Sequence, residues 1–491
     1  MATMAAISNR KPTISIEMSR LDRIGAVPNL RGDRSSRGAP LFTPSNVRSI
    51  AVGALALLAL SLLWMSLFGD GGETYSVVFD AGSTGNRVHV FKFAPGPDGP
   101  VLVDEVFRAS KPGFSAVAAD PAAAAALLDP LIATARDAVP ANKRARTKLT
   151  LRATAGLRLL PEGPEAAAAV LDAVRARLRG VDFLVPDDGV TLLDGADEGA
   201  YGWIAVNYLL DRLDRSEGVG DAGADTVAVA DLGGGSAQIT YAVDPSVAED
   251  APEGYVRAAA PRQHIYAHSF KGYGIMAARA KILAFADADA GTHPCVPAGF
   301  RGGCESRCYG LAPGETYVAV AREEGADFEQ CLASVLEAMD ADATCDRAPC
   351  SFGGAWTTPR KSRVYAMSYL YERAAQAKVT TFPEDASVPV VVTPGLYRDA
   401  GKRVCAVAAK DIARTYPDAD QEHAAYLCLD VAYAYALLAS GFGLRDDEEL
   451  TLVDKIEHGG KPVEAAWALG DAVVSMREDD RVADVVQRVE P

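Results

Sequence analysis

Two segments share one uncommon design, and a chain that carries both has few folds open to it. Residues 76–80 (SVVFD) form a short apolar strand pattern that ends in an acid. Gly82, Ser83, Thr84 and Gly85 follow, and then residues 87–93 (RVHVFKF) alternate as a half-exposed strand does. Much later, residues 226–231 (TVAVAD) again end in Asp, Gly233, Gly234 and Gly235 again make the turn, and Ser236–Val243 (SAQITYAV) again alternates. A strand that ends in Asp and turns back over glycine gives a hairpin whose N–H groups and hydroxyls can surround a phosphate. One such hairpin is ordinary. Two in matched context predict a duplicated α/β unit, repeated in architecture more than in letters. Around them the pattern predicts a third strand at 101–108, a helix at 121–139, a strand running into a loop at 148–156, and a helix at 164–178. Residues 425–438 and 463–474 return to helical texture, whereas 286–360 is loop-rich.

With 491 residues, 49% hydrophobic and 23% charged, the chain has the composition of folded protein and room for two or three domains of ~150 residues. Its net charge of −16 has the wrong sign for gripping phosphate backbones, which excludes nucleic acid as a partner. The charge is uneven. Residues 1–48 hold Arg10, Lys11, Arg20, Arg23, Arg31, Arg34, Arg37 and Arg48 against Glu17, Asp22 and Asp33, and read as a disordered cytosolic tail. Residues 49–68 (SIAVGALALLALSLLWMSLF) carry no charge and are long enough to span a membrane as a helix. The run starts late and ends in Trp64, Met65 and Phe68, which suits an uncleaved anchor rather than a signal peptide. Basic residues on its N-terminal side predict a single-pass type II protein with everything from Gly69 onward lumenal or extracellular, in the Golgi or at the plasma membrane. All eight cysteines fall on that side, six of them within 286–360. An even number there favours disulfides; the close pairs Cys304/Cys308 and Cys345/Cys350 leave zinc as the rival reading, without a histidine at ligand spacing. None of the six asparagines begins an N-x-Ser/Thr sequon.

Between the two hairpins lie ATAGLRLL (153–160) and DGADEGAYGWIAVNYLL (194–210). Glu198 there is a carboxylate where a predicted strand ends and a helix starts, with a favourable charge in the first helical turn as its ordinary role, and Thr154 has the ordinary role of a cap. At this point the chain resembles the apyrases, the nucleoside triphosphate diphosphohydrolases, and in particular the plant-type membrane-anchored members. DAGSTGNRVHVF, ATAGLRLL, DGADEGAYGWIAVNYLL, DLGGGSAQITY and YLCLDVAYAYALLASGFGL all match that family's signature regions, as do KPGFS, YAHSFKGYG, CSFGGAW and EAAWALG. The likeness runs from about Tyr75 to about Ala472.

The resemblance implies two ribonuclease-H-like lobes of the actin and hexokinase type with the active site in the cleft. Lobe I would be residues 75–193 joined by the C-terminal segment 460–491, and lobe II residues 194–459 with the disulfide-rich region 286–360. It implies hydrolysis of nucleoside tri- and diphosphates down to monophosphates, with Glu198 as general base and Thr154, Ser236 and Gln238 orienting the water. Ser83, Thr84, Gly85 and Arg87 would bind phosphate from one side, and Gly233, Gly234, Gly235, Ser236 and Ala237 from the other. Asp80 and Asp231 would hold Ca²⁺ or Mg²⁺ through water, a hard cation suited to oxygen donors. Of the adjacent acids Asp197 and Glu198, the one that immediately precedes Gly199 is expected to be the base. Tyr369 and Tyr371 are candidates for stacking on the base, against the alternative of a helix packing its Tyr face inward. His89 and His268 are expected to be structural. The resemblance also suggests Cys345–Cys350 and Cys405–Cys428, with Cys295–Cys308 and Cys304–Cys331 as the remaining pairs. The same motifs serve a Golgi diphosphatase acting on GDP or UDP; a kinase or a nucleotide-binding module on the same fold fits less well, because Glu198, Ser236 and Gln238 are all present.

Overall fold

The first sheet is built around a strand that is buried along nearly its whole length. In the structure, a computed structural model that describes residues 72–96, 99–213, 225–260, 263–285 and 291–476, Val77, Val78 and Phe79 are all fully buried. They lie on β1 (Thr74–Ala81), which is flanked by β2 (Asn86–Ala94) and β4 (Lys148–Ala153); β3 (Val101–Ser110) and β5 (Val190–Leu192) complete the order β3-β2-β1-β4-β5. β1, β2 and β3 form an antiparallel meander, and β4 and β5 run parallel to β1. A continuous apolar run such as VVF fits only a strand covered on both faces. One face packs on the helices Asp129–Ala138 and Pro164–Leu178 through Leu131, Ile132, Val170 and Val174.

The second sheet repeats this plan. β6 (Ala228–Leu232), β7 (Ser236–Val243), β8 (Val256–Ala260) and β9 (Gln263–Lys271) precede a separate hairpin of β10 (Arg301–Cys304) and β11 (Tyr317–Val320). They are followed by β12 (Val364–Ser368), β13 (Val390–Val392) and β14 (Leu450–Leu452). The order is β13-β14-β12-β6-β7-β9-β8. Within it, β9-β7-β6-β12-β14 has the same senses as β3-β2-β1-β4-β5: an antiparallel meander and then two parallel strands. The registers match as well. Asp80 lies opposite Arg87 on the β1–β2 ladder, and Asp231 lies opposite Gln238 on the β6–β7 ladder.

A third core joins the two sheets. Val78, Phe91 and Phe93 from the first and Val229, Ile265 and Met367 from the second share it with Trp203, Val206 and Leu209 of the helix Gly195–Leu209. Burial of side chains this large contributes about 1.5–3 kcal/mol each. The chain's last described helix, Trp467–Met476, crosses the helix Gly195–Leu209 at Gly470, where a Cβ would stand 2.1 Å from the Tyr201 carbonyl oxygen. Just before it, β15 (Lys455–His458) and β16 (Lys461–Glu464) return the chain to the first sheet. Lys461 pairs with Asp104 at 2.8 Å, the Glu464 amide donates to Glu105 at 2.8 Å, and Thr150 donates to Asp471 at 3.2 Å.

Several expectations need correction. The helix expected at 121–139 is two, Pro121–Ala126 and Asp129–Ala138, because Pro130 can start a helix but not sit inside one. Val463 belongs to β16, not to a helix. The pairs Cys295–Cys308 and Cys304–Cys331 are wrong: Cys295 bonds Cys331, and Cys304 bonds Cys308, while Cys345–Cys350 and Cys405–Cys428 are as expected. Cys331 sits on the buried face, in the first turn, of the helix Phe328–Ala338, whose start is held to the loop at 294 by a bond from the Asp327 amide to the Pro294 carbonyl. That contact brings Cys295 to it with 4.7 Å between Cα atoms. Among the described residues, one helical run, Ala424–Gly441, is long and apolar enough to cross a membrane, and 67% of it is buried as a core helix. The tail 1–48 and the anchor 49–68 lie outside the described residues.

Candidate active site

The first hairpin is a tight turn in which the Gly82 amide donates to the Gly85 carbonyl at 3.0 Å. Its backbone is pressed from two sides: a Cβ on Gly113 would stand 2.7 Å from the Gly82 oxygen, and one on Gly156 would stand 2.8 Å from the Ser83 Cα. These two glycines let neighbouring segments seat the turn. At the base of the hairpin Arg87 donates to Asp80 at 3.0 Å, which leaves the other oxygen of Asp80 buried and without a partner.

The second hairpin repeats the turn, with the Gly233 amide donating to the Ser236 carbonyl at 3.0 Å. It is braced by the segment before the helix Ile275–Ala284. The amides of Ile275 and Met276 donate to the carbonyls of Gly233 and Gly234, both at 2.9 Å, which fixes the turn against that segment. The two turns meet. A Cβ on Gly234 would stand 2.4 Å from the Ser83 hydroxyl oxygen and 3.2 Å from the Thr84 methyl. Ala237, by contrast, buries its side chain in the core, so only its backbone is available to a ligand.

Glu198 reaches this place because of how its helix starts. Asp194 caps Gly195–Leu209 by accepting from the Ala196 amide at 2.9 Å. Gly199 then lets the helix lie directly on β7, since a Cβ there would meet the Thr240 hydroxyl at 2.8 Å and the Gln238 Cβ at 3.2 Å. Glu198 is thereby buried in the first turn, whereas Asp197 points outward and pairs with Arg257. Arg158 donates to Glu198 at 2.7 Å and to the Ser236 hydroxyl at 3.1 Å. Gln238 donates to the Ser236 hydroxyl at 2.9 Å and to the Ser269 hydroxyl at 3.1 Å, leaving its own carbonyl oxygen buried and unpartnered. Thr154 stands at the end of β4, with its amide on the Ala81 carbonyl at 3.2 Å.

Electrostatics bind these groups into one cluster. Burial pushes the Glu198 carboxyl up to about 7 against the pull of Arg158, and the charges of Asp231 and Asp80 add to the rise. Burial likewise pushes Asp231 up to about 6, against a hydrogen bond from Ser368 and with Asp80 again adding. Among the described residues no three His, Cys, Asp or Glu side chains gather as a metal cage. The buried, unpartnered oxygens of Asp80, Asp231 and Gln238 are nevertheless the hard donors that a hydrated divalent cation accepts.

The two tyrosines named from the sequence part company. Tyr369 starts the helix Tyr369–Gln376 with the Arg373 guanidinium 4.9 Å from its ring centre, in the neighbourhood of Arg87 and Tyr309. Tyr371 packs edge-on against Phe382 at 5.2 Å. His89 is buried and pairs with Glu105 at 2.7 Å, and His268 stacks on Tyr255. Sequence reasoning missed Arg158, Ser269, Ser368 and Tyr309. Arg158 had a signal, a lone cation in the apolar run ATAGLRLL; the others come from chain segments that only folding brings near.

The chain is also similar to known proteins. The chain is 37% identical over 478 residues to Probable apyrase 2 of Oryza sativa subsp. japonica, covering 91% of this chain and 97% of that one. It is 33% identical over 414 residues to Ectonucleoside triphosphate diphosphohydrolase 5 of Ailuropoda melanoleuca, covering 81% and 86%. Among solved structures it shares its fold with that of nucleoside triphosphate hydrolases from Neospora caninum, at a TM-score of 0.60 and 16% identity, over 87% of this chain and 96% of that one. Residues 68–488 match the GDA1/CD39 (nucleoside phosphatase) family, and the chain belongs to that family.

Proposed function

We propose that the protein is a hydrolase of the apyrase kind, which removes the terminal phosphate of nucleoside tri- and diphosphates and stops at the monophosphate. The observation that carries this reading is the meeting of the two hairpins at Ser83 and Gly234, beside a buried carboxylate, Glu198, held at 2.7 Å by Arg158. Phosphoanhydride hydrolysis asks for charge neutralisation, in-line positioning and a base for water. Arg87, the hydroxyls of Ser83 and Thr84, and the amides of Gly85 and of Gly234 to Ser236 bind and orient the phosphate chain from its two sides. Ser236, Gln238 and Thr154 hold the water, and Glu198 takes its proton as the water oxygen bonds to the terminal phosphorus. The phosphoanhydride P–O bond breaks, and its electron pair leaves with the shorter nucleotide. Asp80 and Asp231 would hold Ca²⁺ or Mg²⁺ through water, and the ion when bound neutralises phosphate charge. Tyr369, at the edge of this cluster, is the better candidate for the base; Tyr371 already spends its ring on Phe382.

Two lobes, residues 75–193 with 460–491 and residues 194–459, fit the repeated sheet plan, with the cleft at the two hairpins. The uncharged run 49–68, the basic tail before it and the four disulfides beyond it support a type II anchor with the catalytic part lumenal or extracellular. The test is phosphate release by the full chain in detergent from ATP, ADP, GDP, UDP and AMP, with Ca²⁺, Mg²⁺ or EDTA. Release from ATP and ADP but not AMP, abolished by EDTA, is expected. Turnover of GDP and UDP with ATP untouched would move the protein to the diphosphatase reading.

A further inference from the structure

The hairpin β10–β11 does not end where its ladder ends. The disulfide Cys304–Cys308, only four residues apart in sequence, ties off the start of its loop, and the next residue is Tyr309. Three contacts hold the loop in place. Arg307, forced to a left-handed φ of 53°, pairs with Glu162 on the side of the first sheet. Gly310 approaches the helix Ile275–Ala284 so closely that a Cβ on it would stand 2.5 Å from the Ala277 Cβ, and that helix braces the second phosphate hairpin. Between these two anchors, the Tyr309 hydroxyl donates to the Ala155 carbonyl at 3.1 Å.

The position of that phenol oxygen is the telling feature. A Cβ on Gly235 would stand 2.1 Å from it, so glycine at 235 is what leaves room for the phenol. On its other side lies the Ser83 side chain, and Arg158 and Glu198 are near enough for their charges to act on it. This oxygen thus stands against the second hairpin and beside Ser83 of the first, at the seam where a phosphate chain held from two sides has to pass. Burial keeps it a phenol, so its O–H is a donor throughout the working pH range.

We propose that Tyr309 is a further phosphate-binding residue, delivered to the seam of the two hairpins by the disulfide-tied loop, with its O–H turning from the Ala155 carbonyl to a phosphate oxygen when substrate arrives. The inference rests on the function proposed above and assigns a new contact within it. No part of the loop lies in the two glycine hairpins, and its cysteines do the work of placing one hydroxyl.

Tyr309→Phe removes that hydroxyl alone. A hydrogen bond to a charged phosphate predicts that KM for ATP and ADP rises about tenfold while kcat stays within about twofold. The double variant Cys304→Ser/Cys308→Ser is expected to raise KM similarly, and Tyr309→Phe added to it is expected to change little more, because both act through one contact. Steady-state kinetics on the full chain, with thermal unfolding of each variant as the check on folding, reads all of this. An unchanged or lowered KM in Tyr309→Phe overturns the inference. So does a loss of kcat that tracks a lowered unfolding temperature, which would make Tyr309 structural. Independent, additive effects of the disulfide and the hydroxyl overturn the role given to the loop. A wild-type chain that releases phosphate from no nucleotide overturns the underlying function, an outcome distinct from an active wild type indifferent to Tyr309.

Discussion

Arg158 donates to Glu198 at 2.7 Å and to Ser236 at 3.1 Å, so one guanidinium fixes both the proposed base and a group proposed to orient its water. The pair is almost wholly buried, and the cation is what keeps the carboxylate from rising further. Glu198 must be ionised to accept a proton, so activity falls as pH drops through its pKa, which lies at about 7. Removing Arg158 raises that pKa. Arg158→Gln is expected to move the acid limb of kcat/KM upward by about one pH unit and to cost on the order of tenfold at pH 7. A pH–rate profile with an unmoved acid limb would contradict the pairing.

Gly156 is where the fold seats the first hairpin, and it tests whether the position of that turn matters. A Cβ there would press on the Ser83 Cα at 2.8 Å and the Gly82 oxygen at 3.0 Å, both backbone atoms. Alanine suits a short helix better than glycine, so a loss of stability, about 1–3 kcal/mol, reports the clash with the turn and not helix propensity. Gly156→Ala is also expected to lower kcat/KM by about 10²-fold, the effect of a small displacement of binding groups. Activity within a factor of two of wild type would mean that the turn can shift freely.

The disulfides give a chemical test of the fold. Digestion without reduction should yield cystine peptides joining Cys295 to Cys331 and Cys304 to Cys308. Loop-closure entropy predicts a loss of ~4 kcal/mol for the 36-residue separation of Cys295–Cys331 and ~2 kcal/mol for the 5-residue separation of Cys345–Cys350 when each is replaced by serines. Chemical denaturation of the two double variants would show the order. A peptide joining Cys295 to Cys308 would contradict the structure.

His293 supplies a pH dependence of stability that is separate from catalysis. It is 1% exposed, accepts from the Cys295 amide at 3.1 Å, and burial lowers its pKa to about 4. Unfolded, it would titrate near the ordinary 6.5, so below that value the unfolded chain binds the extra proton and the folded one does not. Its contribution is present above pH 6.5 and is lost as pH falls toward 4, up to about 3 kcal/mol. Denaturant titrations at pH 7 and pH 4.5 should therefore converge more closely for His293→Gln than for wild type.

What was legible in the sequence was local. Ser236–Val243 alternates and is a strand over that whole span, and the two Asp-ended strands announce the hairpins because acid, glycine and alternation occur within a dozen residues. The break in the first helix was also legible, since Pro130 can only open a helix. Gly459 and Gly460, with φ of 59° and 79°, are a hairpin turn between β15 and β16 that the apolar texture of 463–474 outweighed. The rest depends on distance in the chain. Cys295 and Cys331 meet only because a helix start is tied to the loop at 294, and Tyr309 meets Ser83 only through a disulfide-tied loop. No period or spacing encodes such contacts.

The central claim is that Glu198 takes the proton from water, and single-turnover phosphate release by Glu198→Gln tests it most directly. Glutamine keeps the shape and can still accept from Arg158 through its amide oxygen, but it cannot accept the proton. The account predicts a chemical step slower by about 10³-fold with nucleotide affinity within a few-fold of wild type. A step at near wild-type rate, or a loss confined to binding, would contradict it.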